Sequence, residues 1–270
     1  MKELCFDISS WQGGINYQAI KDRVNYCIIR AGFEETADNR FEEHYNNLQG
    51  LNLGAYWYSY AGSVEQAKAE ARAFLNMVKG KKFTLPLYLD IEDSSQRGLG
   101  KDKLNAMVEA FGEIIEEAGY YFGVYTNLDW YRNVLSGSYL NSKYDWWIAC
   151  WSTEAPSGVD FGVWQFTSSY NDFGVRLDAN YVVKDYPTII KEAGLNHLDS
   201  EPIPTPTPEP TPSPVDTSYL LDLVRRTIRG DFGNGEERVN NLGEYYEEVQ
   251  RQVNLNYENG TTSWESVRLY

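Results

Sequence analysis

The sequence predicts an α/β fold in which eight strands and several helices form a (β/α) barrel, followed by a proline-rich linker and a small three-helix domain. Three observations predict it: short apolar runs alternate with longer amphipathic stretches, most prolines crowd into one later segment, and helical periodicity resumes beyond that segment. We place the domain boundaries at 1–198 for the barrel, 199–216 for the linker, 217–256 for the helical domain and 257–270 for a tail.

Eight apolar runs in the first part have the length and composition of buried strands. Because the runs are nearly continuous, they indicate a parallel sheet whose outer face is covered by helices. Eight strands favour a closed barrel, and the short spacing of the last four predicts an irregular or antiparallel part. The predicted strands are 4–8, 26–30, 53–58, 85–91, 121–125, 145–151, 162–166 and 175–179.

Helical patterns fill several gaps between these strands, notably at 64–78 and 103–118, where apolar residues recur with the period of a helix. The region beyond the linker has a first helical stretch at 218–229, a glycine-rich turn at 230–235, and two further helical stretches. The segment after Tyr257 has no readable period, and we expect it to be a loose end.

The linker is predicted from the segment 201–215, which reads EPIPTPTPEPTPSPV. Alternating prolines keep the backbone extended and remove the N–H donors that a helix or sheet needs. A spacer of this length would span on the order of 40 Å.

Composition excludes several classes of function. Lys and Arg number 24 against 39 Asp and Glu, and the net charge of −15 argues against a general affinity for nucleic acid or anionic lipid. No apolar run is long enough to insert into a membrane, and the first residues lack the pattern of a secretion signal. Cys5, Cys27 and Cys150 lie in apolar runs and are predicted to be reduced core residues. With His44 and His197 as the two histidines, we predict no metal site and no cofactor.

The ends of the predicted strands carry polar and aromatic residues. In a (β/α) barrel the active site lies at the C-terminal ends of the strands. Four of these residues are acids, and clustered carboxylates are unusual without a role, because each makes the next harder to ionise. The residues are Asp7, Arg30, Tyr58, Asp90 with Glu92, Tyr125, Trp151, Gln165 and Asp178.

Asp90 and Glu92 are two residues apart at the end of an apolar run, so strand alternation points both side chains the same way. Glycosidic cleavage needs one protonated carboxyl group beside ionised ones. We predict Glu92 as the acid, with Asp90 raising its proton affinity. For each acid alone, a strand-end cap or a salt bridge is the alternative. Magnesium binding competes for the cluster, although no glycine-rich phosphate loop or strand-end lysine accompanies it.

The segments around these strand ends resemble the glycoside hydrolase family 25 lysozymes, the muramidases of phage endolysins and bacterial autolysins. The opening Asp-Ile-Ser-x-Trp-Gln-Gly and the Asp-x-Glu strand end are specific in combination. The matching segments are FDISSWQG at 6–13, VNYCIIRA at 24–31, LGAYWYSYA at 53–61, LYLDIED at 87–93, GVYTN at 123–127, VWQFT at 163–167 and LDANY at 177–181.

The resemblance implies a flattened, incomplete (β/α)8-like barrel that cleaves the β-1,4 bond between N-acetylmuramic acid and N-acetylglucosamine in peptidoglycan. It implies that Glu92 is the catalytic acid and that Asp7, Asp90 and Asp178 are its supporting carboxylates. We favour the acetamido group of the substrate, oriented by Asp90, as the nucleophile, with Asp178 as a less favoured one. The predicted substrate-binding residues are Tyr58, Tyr125, Trp151, Gln165 and Arg30.

The last part of the chain resembles a cell-wall-binding repeat found in tandem in some pneumococcal phage lysozymes. The resemblance rests on IRGDFGNGEER at 228–238, LG at 242–243 and VQRQVN at 249–254. A single copy is present, and a phenylalanine stands where the repeat usually has tryptophan. We predict Arg238 and Phe232 as wall-binding residues and homo-oligomerisation as the source of further copies. The alternative is an assembly module without affinity for the wall.

The sequence therefore predicts an endolysin that cleaves peptidoglycan and is anchored by its last domain. A barrel that binds wall glycans without cutting them is the alternative of another class, and a bacterial autolysin is the alternative of origin. On the phage interpretation, we expect the protein to stay in the host cytoplasm until it is released to the cell wall.

Overall fold

Eight strands close into a ring in the computed structural model, which describes residues 2–171, 175–198, 217–233, 236–263 and 265–270. The predicted linker, 199–216, lies outside these residues. The chain divides into two units, each described by itself below. The strands of the described residues are β1 Glu3–Ile8, β2 Tyr26–Phe33, β3 Thr36–Ala37, β4 Asn52–Tyr58, β5 Leu87–Asp90, β6 Phe122–Asn127, β7 Asp145–Ala149, β8 Val163–Tyr170 and β9 Leu177–Val182.

The ring runs in the order β1, β2, β4, β5, β6, β7, β8, β9 and closes back on β1. Neighbours from β1 to β8 are parallel, whereas β9 is antiparallel to both β8 and β1. The short β3 pairs with β2 as a hairpin beside the ring. The predicted barrel with an antiparallel part is confirmed.

The direction of the last strand corrects one detail of the prediction. Asp178 was expected at the C-terminal end of a strand 175–179, but it is the second residue of β9. Because β9 runs opposite to its neighbours, its start lies at the edge where the parallel strands end. Asp178 pairs there directly with Asp7 of β1.

Helices connect most of the parallel strands and cover the outside of the barrel. Ser63 caps the N-terminus of the helix Val64–Val78 by accepting a hydrogen bond from the Gln66 backbone N–H. The connection 150–162 between β7 and β8 has no helix, which leaves the outer layer incomplete. The helices of the first unit are α1 Tyr17–Arg23, α2 Phe41–Asn47, α3 Val64–Val78, α4 Lys101–Glu117, α5 Gly137–Leu140 and α6 Tyr186–Glu192.

Strand alternation divides the buried residues of the barrel into two cores. One core packs between the sheet and the helices and includes Phe6, Phe74 and Phe111. The other fills the barrel interior and includes Cys5 and Tyr88. Asp7 and Asp90 follow Cys5 and Tyr88 by two residues, so the interior becomes polar where the strands end.

The cysteines lie largely as predicted. Cys5 and Cys27 are buried and Cys150 is half-buried, and all three are free thiols. Cys5 on β1 lies in the core of the barrel interior, and Cys27 on β2 lies in the core between the sheet and the helices. Both act as small apolar side chains and form no disulfide.

The second unit consists of α7 Thr217–Arg229, α8 Glu236–Leu242 and α9 Tyr246–Glu258, so three helices form as predicted. Their shared core includes Leu223, Val224, Leu242, Val249 and Val253. None of the described helices in either unit is long and apolar enough to span a bilayer.

The expectation of a loose end after Tyr257 is wrong. Val267 is buried in the core of the three helices. The Asn256 side chain accepts from the Arg268 backbone N–H at 3.0 Å and donates to its carbonyl at 2.7 Å. The Gln252 amide makes the same two contacts with Tyr270. Two side-chain amides therefore hold the final segment in place, and such bonds leave no periodic signal in the sequence.

Candidate active site

The predicted site residues meet at the edge of the barrel where the parallel strands end. Asp90 on β5 pairs with Tyr58 on β4 and with Tyr125 on β6. They line a cavity of about 310 Å³. Eight of the nine predicted residues line it: Asp7, Arg30, Tyr58, Asp90, Glu92, Tyr125, Gln165 and Asp178.

The cavity continues in both directions as a groove. A space of about 490 Å³ on one side shares Glu92 and Tyr125 with it and is lined by Trp151, the ninth predicted residue. A space of about 460 Å³ on the other side shares Arg30 and Tyr58 with it. The acids therefore lie near the middle of an elongated groove.

Asp7 is held by two amides inside the barrel. Its Oδ2 accepts hydrogen bonds from Asn180 Nδ2 at 2.7 Å and from Gln165 Nε2 at 3.1 Å. Burial nevertheless raises the pKa of Asp7 to about 8, with the negative charge of Asp178 adding to the effect and the two amides opposing it. Burial also raises the pKa of Asp178, to about 6. Asp178 therefore ionises before Asp7 does.

Gln165 connects the groove wall to Asp7. Its Oε1 accepts from the Tyr125 hydroxyl and from Trp151 Nε1, both at 3.1 Å. These two donors fix the orientation of the amide, so its NH₂ group must face Asp7.

Asp90 is the most isolated acid of the group. It is buried, and its Oδ1 has no hydrogen-bond partner among the described residues. Burial raises its pKa well above the ordinary value, and the charges of Glu92 and Asp7 raise it further, against a lowering by Arg30. The Arg30 guanidinium is itself engaged, because Nε lies 2.7 Å from the buried Asp38 carboxylate.

Glu92 lies two residues beyond Asp90, past the end of β5. Asn127 Nδ2 donates to its Oε2 at 3.1 Å, and the Trp130 backbone N–H fixes that amide by donating to Asn127 Oδ1 at 3.0 Å. Burial raises the pKa of Glu92, the Asn127 bond lowers it, and the charges of Asp178 and Asp93 raise it.

The predicted effect of Asp90 on Glu92 therefore needs correction. Burial, Asp178 and Asp93 account for the raised pKa of Glu92, whereas the charge of Glu92 acts on Asp90. The reason is that Asp90 is more deeply buried than Glu92, so the repulsion between the two carboxyl groups raises mainly the pKa of Asp90.

Several residues of the site were missed by the sequence analysis. Asn180 and Asn127 bind the carboxyl groups directly, and each lies two residues after a predicted site residue on the same strand face. Strand periodicity could have identified them. Trp11, whose side chain is 83% exposed beside the cavity, follows β1 in a loop and offered no such signal.

Arg238 and Phe232, the predicted wall-binding residues, lie near the same turn of the helical unit. Arg238 Nε donates to the Gly233 carbonyl, and Arg238 Nη1 donates to Gln250 Oε1 on α9, both at 3.0 Å. The Arg226 guanidinium lies 4.7 Å from the centre of the Phe232 ring. Both residues thus help to connect the helices.

Comparison with known proteins identifies relatives of both parts of the chain. Residues 222–256 match the model of the CW_7 repeat. Lysozyme M1 of Streptomyces globisporus is 28% identical over an alignment 193 residues long, which covers 64% of this chain and 65% of that protein. The chain thus spans slightly less than two thirds of this relative.

Solved structures share the fold of the barrel. A bacterial lysozyme from Streptomyces coelicolor matches with a TM-score of 0.62 and 23% identity, covering 72% of this chain and 97% of that one. The CTP1L endolysin matches with a TM-score of 0.61 and 23% identity, over 70% of each chain. The autolysin LytC of Streptococcus pneumoniae matches with a TM-score of 0.60 and 21% identity, covering 67% of this chain and 47% of that one. Residues 6–175, more than half of the chain, match the model of glycosyl hydrolases family 25, and the chain belongs to that family.

Proposed function

We propose that this protein is a muramidase that hydrolyses the β-1,4 bond between N-acetylmuramic acid and N-acetylglucosamine in peptidoglycan. The observation that carries the proposal is the group of four carboxyl groups with raised pKa in one open groove. Carboxyl groups with raised proton affinity beside a sugar-sized space are the chemical requirement for glycoside hydrolysis.

Glu92 serves as the proton donor. Its raised pKa favours the protonated form, and Asn127 fixes the position of the carboxyl group. As the bond from the anomeric carbon to the bridging oxygen breaks, Glu92 gives its proton to that oxygen, which leaves as the hydroxyl of the next sugar.

Asp90 orients the nucleophile, which is the carbonyl oxygen of the substrate's own acetamido group. The open Oδ1 of Asp90 accepts the acetamido N–H while the carbonyl oxygen attacks the anomeric carbon. The raised pKa of Asp90 favours its protonated form, and a protonated carboxyl group still accepts the N–H through its carbonyl oxygen. Water then attacks the same carbon, and the Glu92 carboxylate takes up the proton of that water. Asp178, which has the lower pKa of the pair, supplies the negative charge that stabilises the positive charge of the cyclic intermediate, and Asp7 stays beside it as its protonated partner.

Aromatic residues on both sides of the acids suit a sugar chain. Trp151 and Trp11 have 66% and 83% of their surfaces exposed beside the groove, so their ring faces are accessible for stacking on sugars. LytC, which shares the fold, was solved with a synthetic peptidoglycan ligand.

The bond that is broken tests the proposal directly. Purified peptidoglycan is digested with the full chain, reduced with borohydride and analysed by mass spectrometry. We expect fragments that end in reduced N-acetylmuramic acid. Fragments ending in reduced N-acetylglucosamine, or free stem peptides without new reducing ends, would contradict it.

The helical unit, in this proposal, anchors the enzyme to the wall, and self-association supplies the additional copies that a single repeat lacks. The match to the CW_7 repeat supports the anchoring role. We expect the full chain to sediment with insoluble walls and to exceed monomer mass in light scattering. A chain ending at residue 198 is expected to lose both properties, and its unchanged sedimentation would rule out the anchoring role.

A further inference from the structure

The groove leads past Tyr60 into a separate pocket between the β2–β3 hairpin and α3. Tyr60 lines both this pocket, of about 290 Å³, and the part of the groove beside Trp11. The rings of Tyr58 and Tyr60 lie 4.9 Å apart, so aromatic surface continues from the acids to the pocket. We call it the acidic pocket because three glutamates line it, Glu34, Glu35 and Glu70. Tyr60 and Gln66 also line it.

Glu70 forms the buried wall of the acidic pocket. It lies on α3 with 3% of its surface exposed, and its Oε1 accepts from the Tyr60 backbone N–H at 3.0 Å. Its Oε2 is buried and has no hydrogen-bond partner among the described residues. Burial raises the pKa of Glu70 to about 7, against the lowering effect of the nearby Ser59 hydroxyl and backbone N–H groups. A buried carboxyl group with one oxygen that lacks a hydrogen-bond partner is stabilised by a cationic hydrogen-bond donor.

Glu34 and Glu35 form the hairpin turn at the mouth of the pocket. Both are exposed, and neither forms an ion pair with any described residue. Trp57 Nε1 donates to the Glu34 carbonyl at 2.9 Å and fixes the turn. Glu34 has a φ of 51°, a conformation that a glutamate rarely adopts.

The charge of the pocket limits its ligand to a cation, because no Lys or Arg lines it in the described part of the chain. A metal ion does not fit, since no group of three His, Cys, Asp or Glu among the described residues is placed to hold one. An alkylammonium group fits better, because it carries three N–H donors on a flexible stem and needs one close carboxylate.

We infer that the acidic pocket binds the side-chain ammonium group of the diamino acid in the peptide stem of peptidoglycan. The inference rests on the proposed function, since the stem is attached to the muramic acid that the groove would hold. Glu70 Oε2 accepts from the ammonium inside the pocket, and Glu34 and Glu35 attract it at the mouth. The pocket thereby selects stems with a free amine.

The experiment compares walls whose stem amines are free with the same walls after acetylation, and kcat/KM is measured from new reducing ends. We expect the full chain to prefer free amines by about tenfold, as for a hydrogen bond to a charged group. The triple variant Glu34→Gln, Glu35→Gln, Glu70→Gln is expected to lower this ratio to about one. Glu117→Gln on α4 removes an exposed charge elsewhere and is expected to keep the full preference.

A ratio near one in the unaltered chain, or the same ratio in the triple variant, would overturn the inference. If burial of Gln at position 70 prevents folding, the exposed pair Glu34→Gln, Glu35→Gln is measured instead and is expected to lower the ratio partly. A stem-free glycan, prepared with an amidase, separates the two proposals, because its cleavage depends on the muramidase activity alone.

Binding gives a second measurement that does not need turnover. The tripeptide L-Ala-D-isoGlu-L-Lys is titrated against the full chain by NMR, beside its Nε-acetyl form and cadaverine. Binding of the unacetylated tripeptide, without binding of its Nε-acetyl form or of cadaverine, supports the stem assignment. Equal binding of cadaverine would overturn the assignment in favour of a general amine site.

Discussion

The two ends of the barrel both bury carboxyl groups, but they treat them differently. At the end where the parallel strands begin, Asp145 of β7 lies 3.0 Å from Lys184 Nζ and accepts from the Tyr121 hydroxyl at 3.3 Å and the Trp146 backbone N–H at 2.9 Å. At the other end, the acids share the cavity with one cation, Arg30, whose Nε is already paired with Asp38.

The difference shows how one fold serves two purposes. A carboxylate with a cation and two hydrogen-bond donors is satisfied, so Asp145 joins the strands and helps stabilise the barrel. Carboxyl groups that are buried together without free cations retain protons instead, which costs stability but supplies a proton donor. The chemical state of the acids, rather than their number, distinguishes the two ends.

The largest expected effect concerns Glu92, at the end rich in unpaired acids. Glu92→Gln keeps the shape of the side chain but removes its proton, and we expect the rate of reducing-end release to fall about 10²- to 10⁴-fold. Since the acid is not needed for folding, the thermal unfolding temperature should stay the same or rise. Turnover of walls at the parent rate would contradict the role of Glu92.

Lys184 provides the corresponding test at the opposite end. Lys184→Met leaves the buried Asp145 without its cation, and we expect the free energy of unfolding to drop by about 1–3 kcal/mol, allowing for the partial exposure of the lysine. The rate of wall cleavage per folded molecule should not change. Denaturant unfolding measures the loss.

The double variant Lys184→Met, Asp145→Asn serves as the control for this loss. It is expected to recover part of the stability, because no unpaired charge remains. A double variant as unstable as the sum of its two single changes would show that the pair does not interact.

The remaining expected effect is a difference in pH dependence. The pKa of Asp7 is about 8 in the folded chain and 3.8 for the free side chain, so the folded state holds a proton that the unfolded state releases. The free energy of unfolding should therefore fall as the pH rises from about 4 to 8, by up to about 1.4 kcal/mol per pH unit. Asp7→Asn should make this slope shallower and leave the part that the other acids with raised pKa contribute.

Asp178→Asn is the matched comparison. Because the pKa of Asp178 is about 6, this change should remove its own contribution to the slope between about pH 4 and 6. It should also lower the pKa of Asp7, because the charge of Asp178 no longer raises it. Urea unfolding followed by tryptophan fluorescence at pH 5 and 7.5 distinguishes the variants. Equal slopes in all three proteins would show that neither acid carries the raised proton affinity.

Much of the site could be predicted because strand residues alternate between two faces. Asp7, Asp90, Tyr58 and Tyr125 follow apolar runs at positions that face the barrel interior, and all four line the cavity. An antiparallel part was predicted from the short spacing of the last strands, but not which strand is reversed, since the antiparallel pairing of β9 with β1 depends on contacts between residues more than 170 positions apart.

The hydrogen-bond partners were hidden for the same reason. Asn180 reaches Asp7 only because β9 lies beside β1, and Trp151 reaches Gln165 only because β8 returns beside β7. The packing of Val267 against the three helices likewise depends on side-chain amides on α9.

The amino-acid order by itself determined the barrel, the proline-rich break, the three later helices and the acids at the strand ends, because these follow from periodicity and local backbone preference. Only the tertiary structure decided which acids keep their protons and which polar partners hold them. Proton affinity depends on burial and on charges brought together from distant strands, and no local pattern in the chain records either.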